Sequence, residues 1–192
     1  MSEQRSGPVT TARRFSLPAT ALAAALILTG CSLVSSDSDK LGYEPEVRAV
    51  RPAEDEVNAI SSQLLDWMGV KGKVTESGAM AGTCDAVDPD FQTHYSVEHP
   101  WSVYDLTSGT FEQAMQNLRE KLPRNGWEIT RDGLTKSQAR NPEIVAVNRK
   151  THHGVHIEWT RSRSGKLPKL ITVDVGSRCY KAPEGTKLGR AS

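Results

Sequence analysis

Apolar positions between residues 52 and 68 recur at helical spacing: Val57, Ile60, Leu64, then Trp67 or Met68. The stripe predicts a helix over 52–68, with Pro52 in its first turn and Gly69 as its stop. Glu54, Asp55 and Glu56 would place negative charge near its positive dipole end. A second stripe, Phe111, Ala114, Met115, Leu118 and Leu122, predicts a helix over 107–122. A capping box of Thr110 and Gln113 opens it, Ser108 being the other possible cap, and Pro123 with Asn125-Gly126 closes it.

Elsewhere the period is two. Tyr95, Val97, His99, Trp101 and Val103 share a parity and predict one face of a strand over 92–106, interrupted near Pro100. Before it, residues 70–84 are broken by Gly72, Gly78 and Gly82. They predict one strand, at 73–76 or 80–84. Four strands follow the second helix. The first runs 127–131. The second spans 143–148, where the unbroken run Ile144-Val145-Ala146-Val147 predicts cover on both faces. A hairpin turn at His152-His153-Gly154 leads into the third, where Val155, Ile157 and Trp159 alternate with polar residues. The fourth, over 170–175, follows a turn at Ser164-Gly165-Lys166. An unbroken continuation of it would turn Cys179 inward. The sum is an α+β fold, an antiparallel sheet with two helices packed on one face.

The N-terminus obeys neither period. Arg5, Arg13 and Arg14 give a basic start, and residues 17–28 are apolar and uncharged. Twelve such residues are too few for the ~20 that span hydrocarbon, and they suit the core of a secretory signal. Leu28-Thr29-Gly30-Cys31 closes the run. This resembles the bacterial lipoprotein signal, whose box ends in a small residue and cysteine. The resemblance implies diacylglycerol on Cys31 and cleavage before it. Arg13-Arg14-Phe15-Ser16-Leu17 leaves the general secretory and twin-arginine routes both open. The order of elements, with Trp101, Leu122-Pro123, Gly126-Trp127 and Ser177-Arg178-Cys179, is similar to small lipoproteins of actinobacterial envelopes, a group without assigned activity. Residues 1–30 are then a signal peptide and 31–53 a lipidated N-terminus and flexible tether spanning roughly 25 Å. Residues 54–181 form a single domain, and 182–192 a polar tail. The implied location is the extracytoplasmic face of the cell membrane, held by lipid.

That anchor changes the cysteine count. Three cysteines become two when Cys31 is lipidated, leaving Cys84 and Cys179 to pair in an oxidising compartment; two reduced buried thiols are the alternative. Charge is divided along the chain. Residues 31–110 hold 14 acidic and 5 basic side chains, net −9, and residues 111–192 hold 8 acidic and 16 basic, net +8. An exported chain meets little nucleic acid, so the halves are read as facing each other or solvent. Anionic lipid or wall polymer is the other partner of the basic half.

Candidate chemistry is sparse. His152, His153, His156 and Glu158 are suitable zinc or copper ligand types, yet convergence needs the turn to fold back. Asp85, Asp88 and Asp90 lack the glycine and late glutamate of a calcium loop, and read as a turn whose carboxylates bind local backbone. Glu98 and Asp105 are paired carboxylates of unknown geometry. Trp67, Trp101, Trp127 and Trp159 lie on apolar stripes and read as core rather than a glycan groove. No nucleophile-elbow, P-loop or Cys-x-x-Cys motif occurs, and no cofactor is called for. The reading is a non-catalytic binding or interaction domain of the envelope, with an envelope protein or wall polymer as partner. An envelope hydrolase without a recognisable motif, or a metal or small-ligand carrier using the His152–Glu158 hairpin, are the alternatives.

Overall fold

Both apolar stripes form helices, and the alternating segments pair into one sheet. The structure, a computed structural model, describes residues 36–161 and 168–189, all within one unit of the chain, residues 35–192. The signal segment, Cys31, the turn at Ser164-Gly165-Lys166 and the end of the tail lie outside the described residues. The elements are α1 (Asp37–Leu41), α2 (Val50–Met68), β1 (Lys71–Val74), β2 (Met80–Gly82), β3 (His94–Ser108), α3 (Phe111–Arg124), β4 (Trp127–Leu134), β5 (Pro142–Asn148), β6 (His153–Thr160), β7 (Leu170–Gly176) and β8 (Tyr180–Lys181). No helix among the described residues is long and apolar enough to cross a membrane.

The sheet is antiparallel, in the order β1-β3-β7-β6-β5-β4, with β2 and β8 also paired to β3. One row of partners, Trp101, Val173, Ile157 and Ile144, crosses four strands on the covered face. The helices bury Ala53, Val57, Leu64 and Met68 of α2, and Ala114, Met115, Leu118 and Leu122 of α3, in the same core. Each large aliphatic side chain there contributes about 1.5–3 kcal/mol. On the opposite face Pro100, His156, Thr172 and Asp174 are exposed.

Several expectations shift for local reasons. The helix expected over 52–68 begins at Val50, so Glu54–Glu56 lie beyond the first turn, which holds no acidic residue. Both candidate strands before β3 form, as β1 and β2. β3 runs unbroken through Pro100. The neighbouring Ser102 exchanges bonds with Thr75, its amide donating to Thr75 Oγ1 and its carbonyl accepting the Thr75 amide. Pro100 shares that orientation, so its missing N–H faces the edge between β1 and β2, where no ladder partner stands. β5 is fully covered on one face, where Ile144 and Ala146 are buried, and partly on the other, where Val145 and Val147 are half-buried and Glu143 is buried. The β5–β6 turn lies before β6. His152 takes the positive φ of 58°, and Gly154 is already in strand.

The expected flexible tether is folded from Ser36 on. Ser36 and Asp39 form a capping box on α1, and Gly42 ends it in the left-handed region. Arg48 N–H donates to the Lys181 carbonyl and Lys181 N–H to the Glu46 carbonyl, at 2.9 Å each. The Cys179 amide donates to Tyr43 Oη at 2.8 Å. β8 thus offers the tether backbone partners that composition alone does not reveal. The tail is held as well: Ala182 is buried, and Leu188 packs against the core.

Cys84 and Cys179 form a disulfide, with Cα atoms 5.8 Å apart. It ties the end of β2 to the segment before β8 across a sequence separation of 95. A loop of that length restricts the unfolded chain by ~4–5 kcal/mol in the chain-entropy model. The double variant Cys84→Ser, Cys179→Ser is expected to lose about 2–5 kcal/mol in urea unfolding. An unchanged midpoint would show that the bond staples nothing.

Candidate functional site

The residues singled out for metal chemistry are parted by the sheet. His153 faces the covered side and is 1% exposed. His152 stacks on Tyr43, with centroids 4.8 Å apart. His156 points to the open face, its Nε2 3.3 Å from Glu143 Oε2, and Glu158 accepts from Asn141 Nδ2 at 2.8 Å. Among the described residues no three His, Cys, Asp or Glu side chains gather as a ligand set. Glu98 and Asp105 are likewise separate: Asp105 pairs with Lys73, while Glu98 lies opposite Met80. Trp101 and Trp127 are core residues. Trp67 and Trp159 are half-buried, Trp159 stacking on Phe111. The open face holds one feature the sequence did not announce. Glu143 is buried between His156 and Arg131, whose Nη1 lies 3.3 Å from its carboxylate.

A groove of about 890 Å³ lies beside β2. That is within the size range of ligand pockets, which are concave and mostly apolar with a few polar groups. Val50, Met80, Pro89, Phe91 and Leu188 supply its apolar wall, and Glu54, Asp90 and Lys187 its charges. Met80 is 59% exposed there, an unusual position for a large apolar side chain on a short edge strand.

The 83–92 wall is set by two restraints. One is the disulfide at Cys84. The other is Asp88, whose Oδ2 accepts the amides of Gln92, Thr93 and His94 at 2.8, 2.6 and 2.8 Å, and the Thr93 hydroxyl at 3.2 Å. Burial alone would raise the Asp88 pKa; these donors outweigh it and hold it at about 2. Of the three aspartates, then, Asp88 binds local backbone, as the turn reading has it, while Asp85 and Asp90 are exposed. The tightened loop leaves Phe91 at a φ of 56°, a conformation costly for a bulky residue. Its ring is half-buried in the groove wall.

The groove also borders an open sheet edge. Val97 exchanges bonds with Ser177 on the β7 side, its amide donating to Ser177 Oγ and its carbonyl accepting the Ser177 amide. Ser96 and Glu98 therefore turn their peptide groups toward their β2 partners Gly82 and Met80. Ala81, between those two, directs its own N–H and C=O away from β3. A peptide group so placed is a template for an added strand. Sequence reasoning missed Ala81, Phe91 and Leu188. The available signal was a lone aromatic between Asp90 and Gln92 in an otherwise polar loop.

Around Arg48, just before the start of α2, lies a cluster that braces the fold. Arg48 lies over the Tyr180 ring and donates to Glu56, and Arg178 lies over Tyr43 and Tyr180. His153 is enclosed, and neither of its ring nitrogens is hydrogen-bonded among the described residues. Burial pushes its pKa down; nearby Arg48, Arg178 and His152 add to that and Glu56 opposes it. Burial also lowers His99 and raises Tyr95 to about 12.

No protein-family model matches the chain, and no curated protein or solved structure matches it.

Because His153 and His99 are less basic folded than unfolded, the unfolded chain binds more protons just below the ordinary histidine pKa of 6.5. Stability should be full above that value and fall as pH drops beneath it. Urea midpoints from pH 8 to 5 should show the decline, and His153→Phe should flatten it. An equal slope in the variant would remove His153 from the account. Asp88→Ala strands three amides and should cost on the order of 2–3 kcal/mol at pH 7.

Proposed function

We propose that the chain is a membrane-anchored, extracytoplasmic lipoprotein whose domain holds an extended peptide segment of another envelope protein in the groove beside β2. The observation that carries the binding reading is the pairing of an apolar wall with an open strand edge at Ala81. Main-chain bonds at such an edge supply affinity, and pockets for alternate side chains supply selectivity. The strained Phe91 fits this role, because strain persists where surrounding structure holds a residue in a working position. The anchor rests on Leu28-Thr29-Gly30-Cys31, and the disulfide suits an oxidising location.

A photo-crosslinking residue at position 80 or 187, both in the groove wall, should capture the same protein in intact cells. Position 116, exposed on α3, should capture none. Phe91→Asn, which tolerates the left-handed backbone, should cut capture at least tenfold while the fold persists by circular dichroism. Equal capture from position 116 would reject the groove as the binding site. Separately, Cys31→Ala should move the protein out of the membrane fraction, and its retention there would reject the anchor.

A further inference from the structure

A smaller cleft, between α2 and the β1 side of β3, holds an arrangement that peptide binding does not use. Ser61 on α2 is 4% exposed, and its Oγ lies 2.9 Å from His99 Nδ1. His99 on β3 is 8% exposed, and its Nε2 lies 3.2 Å from both the carbonyl oxygen and Oγ of Ser77. The Ser77 hydroxyl donates to the Pro100 carbonyl at 3.0 Å, so its proton is committed. Nε2 therefore faces two acceptors and carries the ring proton. Nδ1 is left as the acceptor, and the Ser61 hydroxyl donates to it. The next residue, Ser62, shows the usual habit of a helical serine, donating to the Asn58 carbonyl four residues back. Ser61 makes no such bond.

Burial keeps His99 below the ordinary imidazole range, so the neutral, proton-accepting ring prevails at neutral pH. Ser61, His99 and Ser77 line a cleft of about 110 Å³ with Leu65, Val74 and Trp101.

We propose that Ser61 is the nucleophile of an esterase-type site, with His99 as its general base. The Ser77 carbonyl holds the ring's tautomer, as the third group does in nucleophile–base–orienter arrangements generally. The cleft has the volume of about four water molecules, so it admits a short acyl group of two or three carbons. Leu65 and Val74 give that group an apolar end wall. The substrate class is a short-chain carboxylic ester whose alcohol stays outside.

Ser61 Oγ bonds to the ester carbonyl carbon, its proton passes to His99 Nδ1, and the carbonyl electron pair moves onto oxygen. On collapse, the bond to the alcohol oxygen breaks and Nδ1 returns the proton to that oxygen. Water then attacks the acyl-serine carbon and gives a proton to Nδ1. The carboxylic acid leaves as Ser61 Oγ takes the proton back.

The test is incubation of the purified full chain with a fluorophosphonate probe, read by intact mass and peptide mapping, alongside hydrolysis of p-nitrophenyl acetate. One adduct is expected, on Ser61. Ser61→Ala should abolish it, and His99→Gln should slow labelling by about 100-fold or more, the usual scale of general-base assistance. Ser77→Ala, which keeps the carbonyl, should still be labelled. Thermal melts of each variant separate lost chemistry from lost fold. No adduct on the unaltered protein, an adduct on a different serine, or undiminished labelling of a folded His99→Gln would overturn the assignment, whatever the variants' stability.

Discussion

β3 is the constraint on which the rest of the structure depends. Fifteen residues long, it pairs with β7 and β8 along one edge and with β1 and β2 along the other. Its odd-numbered residues from Tyr95 to Val103 are all buried against the helices. A one-residue slip would turn that whole row to the open face, so the register of every strand built on β3 is fixed by the same burial. Pro100 survives in the middle because its absent amide falls at the one stretch of edge where β1 has ended and β2 has not begun.

Both candidate sites follow from how that edge is shared. β1 and β2 together cover only part of it. Where they leave a gap, the connection through Ser77 crosses the edge and brings a hydroxyl and a carbonyl to His99. Where β2 does pair, it is a short strand with no further strand beside it among the described residues, and the groove opens alongside. The disulfide and the Asp88 carboxylate hold the following loop against β2. Stability and the groove are therefore linked: the bonds that staple the domain are those that shape the wall.

The cluster around Arg48, beside the start of α2, shows the contrary use of polar groups. Arg48, Arg178, Tyr43, Tyr95 and Tyr180 knit the tether to β8 and the β5–β6 turn, with long side chains lying flat on aromatic faces. His153 packs in this cluster as an uncharged ring. It belongs to a local pattern of alternation, but its neighbours come from residues 48, 56 and 178, far away in sequence. For that reason the hairpin histidines read as a ligand set on paper and separate into different environments in space.

Local physics determined a good deal from the sequence alone. Two helical stripes, a Thr110 cap, the Gly69 stop and the parity of β3, β6 and β7 depend on periodicities of 3.6 and 2, which neighbouring residues express by themselves. The α+β class follows from their order, and the one possible pairing of Cys84 with Cys179, once Cys31 is set aside, is the bond that forms. Tertiary structure decided what rests on partners distant in the chain. The tether folds because β8 meets it, Pro100 stays in strand because no donor is needed there, and β5 has one face only partly covered because the helices pack on the other. Ser61 becomes more than a helical serine only because His99, 38 positions away, is buried beside it. Hydrogen-bond geometry across such distances is set by packing, and no local pattern encodes it.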